Sequence, residues 1–163
     1  YAINGKAVAA IGYKLGVLKY YKILDKSGIL GEPIQVKDLS FEINSVYPNG
    51  KTAFKLQIVN EYFNGKLEIY SENGLPNYVS GFKFEKLDGE RIEYYPNGKI
   101  YKKELLINGD YQGVQEYFQE DGKLILSATY NFDELHGDYK IYTNGILQKT
   151  LKYDSDELLE IIK

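Results

Sequence analysis

The sequence predicts an all-β fold, an elongated antiparallel sheet built from stacked β-hairpin repeats of 24 residues. Three observations predict it. Gly65, Gly89, Gly113 and Gly137 lie 24 residues apart, and Gly50, Gly74, Gly98 and Gly122 keep the same period. Side chains hold the same register. Ile34, Ile58, Phe82, Leu106 and Tyr130 form one 24-residue column; Leu39, Phe63, Leu87, Tyr111 and Leu135 form a second; Val46, Tyr70, Tyr94, Phe118 and Tyr142 form a third. Every member is apolar or aromatic, so the columns are expected to be the core of a stacked array. The turn chemistry agrees. Asn49-Gly50, Asn73-Gly74, Asn97-Gly98, Asp121-Gly122 and Asn144-Gly145 each separate two strand-like runs, and Asn or Asp before Gly favours turns that need positive φ.

Residues 1–40 read as a degraded first repeat or cap. Tyr1-Ala2-Ile3-Asn4-Gly5-Lys6 echoes Tyr47-Pro48-Asn49-Gly50-Lys51 and Tyr95-Pro96-Asn97-Gly98-Lys99, as if the chain opened inside a repeat. There is no Met, so Tyr1 is not a translation start, and further repeats upstream are expected. Residues 7–19 are rich in Ala and Gly and lack the two-strand spacing. A short helix and irregular strands both stay open for them.

Residues 41–153 hold five repeats, starting near 41, 65, 89, 113 and 137. Pro48 and Pro96 preset φ ahead of two turns. Runs such as Ile58-Val59, Phe82-Lys83-Phe84 and Tyr130-Asn131-Phe132 suit a pleated surface. Two strands per repeat add about 10 Å, so five or six repeats would extend roughly 50–60 Å. Each hairpin alone is marginal and leans on its neighbours. An open array leaves two edges that need covering, which keeps an edge-paired dimer open.

Residues 154–163 read as a C-terminal cap. Asp154-Ser155-Asp156 could cap a short helix in which Leu158, Leu159, Ile161 and Ile162 make one apolar face. The Ile-rich composition keeps a last strand as the alternative.

Composition narrows the function. The formal charge is −3: residues 1–37 carry six Lys against Asp25 and Glu32, a net of +4, leaving −7 elsewhere. The aromatics lie mainly in the acidic part, which argues against a nucleic-acid surface. Absence of Cys excludes disulfides, thiolate metal sites and cysteine nucleophiles. No stretch approaches the ~20 apolar residues of a transmembrane helix.

Leu135-His136-Gly137-Asp138-Tyr139-Lys140-Ile141-Tyr142-Thr143-Asn144-Gly145 and Leu87-Asp88-Gly89-Glu90-Arg91-Ile92-Glu93-Tyr94-Tyr95-Pro96-Asn97-Gly98-Lys99 resemble the bacterial variant of the MORN repeat. The resemblance is close over residues 41–153 and loose over 1–40. It implies hairpin repeats in one sheet and a non-catalytic protein-binding or scaffold role. It also implies either an antitoxin-like protein or a secreted or surface interaction protein, with a secreted or cell-surface location ahead of a cytoplasmic one. Phe41 stands where the first Gly of its repeat belongs, and Gly145 comes one residue early; both predict altered local hairpins.

Candidate sites follow from what the columns leave over. His136, the single histidine, shares its repeat position with Asn64, Asp88 and Gln112 and reads as a polar turn residue. Glu61, Glu85 and Asp133 form an acidic column, but a column along an open sheet offers no cleft for a carboxylate pair. Asp154, Asp156 and Glu157 come nearest to a calcium loop without its glycine and length. No phosphate loop, dinucleotide fingerprint or zinc helix occurs. The expectation is no catalytic residue, no metal and no cofactor. Tyrosine is in excess, and Tyr62 and Tyr95 sit in otherwise polar columns while Tyr117 alternates with core Phe118. These three are the expected binding patch, facing another protein. The alternative is an anionic membrane surface met by Lys6, Lys14, Lys19, Lys22 and Lys26, which the acidic remainder disfavours.

Overall fold

The computed structural model describes residues 5–162. The echo at Tyr1 to Asn4 and the terminal Lys163 lie outside the described residues. Every element among those described is a strand. The chain forms two compact units, Tyr1–Lys86 and Leu87–Lys163.

The first unit opens with β1 (Ala9–Lys14), β2 (Val17–Ile23) and β3 (Ile34–Gln35), a small sheet in the order β1-β2-β3. It continues with β4 (Phe41–Val46), β5 (Thr52–Val59), β6 (Tyr62–Tyr70) and β7 (Pro76–Lys83), antiparallel and in sequence order. The second unit carries β8 (Lys86–Tyr94), β9 (Ile100–Ile107), β10 (Asp110–Phe118), β11 (Leu124–Asn131), β12 (Glu134–Thr143), β13 (Ile146–Asp154) and β14 (Glu157–Ile162), again in sequence order. The hairpin array is therefore as the period predicts.

Two kinds of turn alternate along each unit. Asn60-Glu61, Phe84-Glu85, Asn108-Gly109, Phe132-Asp133 and Ser155-Asp156 hold positive φ at both positions, the signature of the type I′ turn whose twist suits a hairpin. At the other end, the Asn-Gly and Asp-Gly steps of Gly50, Gly74, Gly98 and Gly122 hold positive φ at Gly alone. Their loops span three residues, as in Tyr47 N–H to Lys51 C=O at 2.8 Å, and end in a glycine bulge. Gly145 explains itself: with one residue fewer, Thr143 pairs directly with Ile146, and Asn144-Gly145 becomes a two-residue turn with both φ positive.

The other glycine series marks a bulge inside the repeat. Between the pairs Leu56↔Leu67 and Ile58↔Phe63, one residue of β5 faces three of β6. The same happens between Ala128↔Tyr139 and Tyr130↔Leu135. Gly65, Gly89, Gly113 and Gly137 hold φ of +108°, +102°, +71° and +104°, a backbone conformation that favours glycine.

The core sits in the first unit. Val8, Leu18 and Leu24 of the N-terminal segment pack on Ile43, Phe54, Leu56 and Ile58, with Leu24 N–H donating to Ser45 Oγ at 3.0 Å. Cross-strand pairing lines up Phe41, Ile58 and Phe63, and then Ile43, Leu56 and Leu67. In the second unit Leu106 and Ala128 are buried, and ring contacts across strands include Tyr111 on Tyr130 at 5.5 Å and Tyr139 on Tyr153 at 6.1 Å.

Three sequence expectations change, and one open choice closes: residues 7–19 hold β1 and the start of β2 around a Leu15-Gly16 turn, the strand alternative of the two. The C-terminal capping helix is strand β14: Ser155 and Asp156 turn with positive φ and return the aliphatic run along β13. An unpaired β13 edge competes for that run, and six hairpin residues are too few for a stable helix of their own. The first core column holds at Ile58, 1% exposed, but Ile34, paired with Tyr21 on the outer strand of the small sheet, is 39% exposed. The third column is half-buried or exposed, and Tyr47 packs on the core instead. A one-residue register shift just before each three-residue loop, as between Ser45 and Val46, re-aims the side chains around it.

Candidate interaction surface

Much of the repeat motif ties one hairpin to the next. In the first unit Tyr47 Oη donates to Tyr70 C=O at 2.8 Å, Asn49 Nδ2 to Glu72 C=O at 2.7 Å, and Lys51 Nζ to Asn73 C=O. In the second, Tyr95 Oη donates to Phe118 C=O at 2.8 Å, Asn97 Nδ2 to Glu120 C=O at 3.0 Å, and Lys99 Nζ to Asp121 C=O at 2.7 Å. These bonds anchor each hairpin to backbone carbonyls of the next. Tyr95 is thus half-buried, with its ring against Tyr101 at 5.2 Å, and not the solvent-facing residue its column suggests.

The opposite ends are tied as well. The N–H groups of Glu61, Glu85, Gly109, Asp133 and Asp156 donate to the carbonyls of Leu39, Phe63, Leu87, Tyr111 and Leu135 at 2.7–3.1 Å. Beside them, Ser40 Oγ, Asp88 Oδ2 and Gln112 Oε1 accept from the N–H of Asn60, Asn108 and Phe132. His136 continues that column, its Nδ1 2.9 Å from Asp154 Oδ1. The column is polar because it holds the next turn. The acidic column has the same explanation: Glu61, Glu85 and Asp133 are turn residues with positive φ. Asp156 Oδ1 accepts from Leu135 N–H at 2.8 Å.

A charged cluster in the second unit was missed by the columns. Glu104 is 1% exposed. Its carboxylate pairs with Arg91 Nε at 2.5 Å and Lys102 Nζ at 3.5 Å, and accepts from Tyr111 and Tyr117 hydroxyls at 3.3 Å each. Arg91 also lies over the Tyr111 ring, 5.7 Å from its centroid. Burial opposes ionisation of Glu104, but Arg91 and Lys102 outweigh it and hold the carboxyl below its ordinary value. The same arrangement pushes Tyr117 up, through burial first and the Glu104 charge second. Tyr117 is therefore half-buried with its hydroxyl turned to Glu104, not free on an exposed face. Positions one and two repeats away from Glu104 hold Leu56, Ser80, Ala128 and Lys152. A carboxylate between Ser80 and Ala128 in that column, with Arg91 in the paired one, was the available signal.

Exposed aromatics gather at the two-residue turns. Tyr62 is exposed and meets Phe84 edge-on at 6.1 Å. Phe84 and Phe132 hold φ of +48° and +49°, and are 63% and 62% exposed. Sister turns place Asn60 and Asn108 there. Asparagine tolerates this conformation, whereas a bulky ring is an outlier in it.

A sequence model of the family described as MORN repeat variant matches residues 87–108 and 111–131, two consecutive repeats of the second unit. Those two segments are MORN-variant repeats. No curated protein matches it. MORN repeats generally serve as non-catalytic modules that contact proteins or membranes, so in class this chain is a repeat-based binding or scaffold module. Within the matched MORN-variant segment fall Tyr95 with its ties, the Glu104 cluster and Tyr117; Tyr62, Phe84 and Phe132 lie outside it.

Proposed function

We propose that the chain binds another protein through aromatic side chains at its two-residue turns, with Tyr62 and Phe84 as contacts in the first unit and Phe132 in the second. The observation that carries this is strain without burial. A ring held at positive φ costs about 1–3 kcal/mol, and here neither ring is buried in return. Backbone outliers of this kind concentrate where function requires them, and exposed aromatics anchor interfaces. Of the tyrosines the sequence singles out, Tyr62 leads. Tyr95 and Tyr117 contribute ring edges in the second unit, since their hydroxyls are already bonded. Sequestering a toxin and attaching at a cell surface are two forms of this reading; a toxin gene beside this one supports the first, and an upstream signal peptide the second.

Phe84→Asn and Phe132→Asn are each expected to raise stability in urea by about 1 kcal/mol, as the strain is relieved. Both together should weaken recovery of the native partner at least tenfold. If the two variants destabilise the protein, the rings are serving the fold and this assignment is wrong.

A membrane surface is the second reading, and one observation favours it. Leu15, in the β1–β2 turn, is 95% exposed, with exposed Tyr13, Lys14 and Val17 on either side. An apolar tip beside lysines suits an anionic bilayer. Co-sedimentation with phosphatidylserine vesicles, and its loss in Leu15→Ser, is the expected result. Equal pelleting with neutral vesicles would dismiss this reading.

A further inference from the structure

We propose that the outer face of β9 and β10 docks a short basic segment of a partner protein, which lays its apolar side chains on Leu105, Ile107 and Val114 and sets its cations against the carboxylates around them. Leu105 and Ile107 alternate along β9 with the buried Glu104 and Leu106, so they share the opposite face of the sheet. Val114 joins them on that face, because Glu116 and Lys103, each two residues away, are a cross-strand pair. The three are 37%, 41% and 52% exposed. They lie mid-sheet, with β8 paired to β9 and β11 paired to β10, so the patch is a face and not a strand edge.

Sister repeats mark the patch as particular to this one. Val114 occupies the position of Lys66, Glu90 and Asp138, and Leu105 that of Gln57, Gly81 and Thr129. The fold carries polar residues or glycine at those positions, so it does not require the apolar ones. Gln115 is particular as well, standing where sister repeats place Leu67, Arg91 and Tyr139. Buried in the bulge, it accepts from Leu105 N–H at 2.9 Å and donates to Leu105 C=O at 3.2 Å and Gly113 C=O at 3.3 Å. A buried amide with its bonds satisfied fixes the backbone around it; here it clamps Leu105 to the strand that carries Val114. A Cβ at Gly113 would sit 3.5 Å from the Leu105 side chain, which therefore lies over the glycine beside Val114. The apolar surface is thus held in place before anything binds.

Charge and area define the occupant. Glu90 stands opposite Leu105, Asp110 opposite Ile107, and Glu116 opposite Lys103. These carboxylates border the patch against Lys103, whose Nζ is already 2.8 Å from Glu90 Oε1. The surplus is negative, so the face repels an anionic bilayer and attracts a cationic partner. Three side chains, none much over half exposed, fall far short of the ~800 Å² per partner of a stable dimer. A short segment fits that area and a second copy does not. The proposal rests on the reading that the chain binds a protein, but not on the rings at its turns.

The test uses the full chain and two fluorescent peptides, one alternating leucine with lysine, the other leucine with glutamate. Fluorescence anisotropy should show binding of the first and none of the second. Leu105→Thr, Ile107→Asn and Val114→Thr together leave the charge unchanged, and the first two copy the sister residues Thr129 and Asn131. The triple variant should bind the leucine–lysine peptide at least tenfold more weakly, with its thermal transition retained. Phe132→Asn should leave that binding unchanged. If the triple variant fails to fold, a benzophenone-bearing leucine–lysine peptide decides on the wild-type chain, where its photo-adducts should fall on β9 and β10. No binding of the leucine–lysine peptide overturns the proposal, as do equal binding of both peptides, adducts elsewhere, and a folded triple variant that binds as wild type does. A loss in Phe132→Asn instead of the triple variant overturns this face and leaves the turn reading standing. Self-association that the triple variant abolishes overturns it in favour of a second copy.

Discussion

Glu104→Ala is expected to cost the second unit about 3 kcal/mol in urea, because removing one partner of a buried ion pair strands the other charge. The lower end of the usual range applies here. Arg91 and Lys102 keep 18% and 19% of their side-chain surface exposed, so both can turn toward water. Glu104→Leu should cost less than Glu104→Ala, since it refills the volume and a well-packed hydrophobe often replaces a buried pair without loss. Acid gives a second readout. The folded carboxyl titrates below its unfolded value of ~4.3, so its stabilisation is fully present above that value and disappears as pH falls through the lower folded one. The gap between wild type and Glu104→Gln should therefore close on acidification through that window. A Glu104→Ala loss under about 1 kcal/mol would show that water reaches the carboxylate.

The second large effect is in the first unit. Ile58→Ala should cost about 3 kcal/mol, as for other buried aliphatics that leave a cavity. Ile34→Ala, in the same 24-residue column, should cost under about 1 kcal/mol. The two differ because Ile58 lies under the small sheet and Ile34 lies in the segment that forms its exposed last strand. Urea melts followed by hydrogen exchange would compare them. Equal losses would mean that the column is uniformly core and that the packing described for Val8, Leu18 and Leu24 is misplaced.

Periodicity made the hairpin array legible. Strand chemistry and glycine spacing act within a few residues, and a repeat multiplies each signal. What stayed hidden depends on long-range competition. The β1–β3 sheet has no period of its own and is defined by what it covers. β14 looked helical because Asp154 to Asp156 resembles a cap; the waiting β13 edge decided otherwise. Tyr95 looked exposed because its column is otherwise polar; the hydroxyl bond to Phe118 C=O that holds its ring down joins residues from different hairpins. The type I′ turns at Phe84 and Phe132 were hidden by the residues that make them informative, since phenylalanine is not a turn former. Glu104 was readable as a misfit in its column, but its partners needed the cross-strand register.

The ties between hairpins bear on how the chain can be made. Each backbone tie joins residues 21 or 22 apart, and each tyrosine tie joins residues 23 apart. A ribosome need release only one more hairpin for the preceding one to close its bonds. Growth of the array can then keep pace with synthesis, one hairpin at a time, with little of the unfinished edge exposed at once. Low contact order of this kind shortens the search for native pairing, and a terminal hairpin can be added or lost without re-pairing those already laid down.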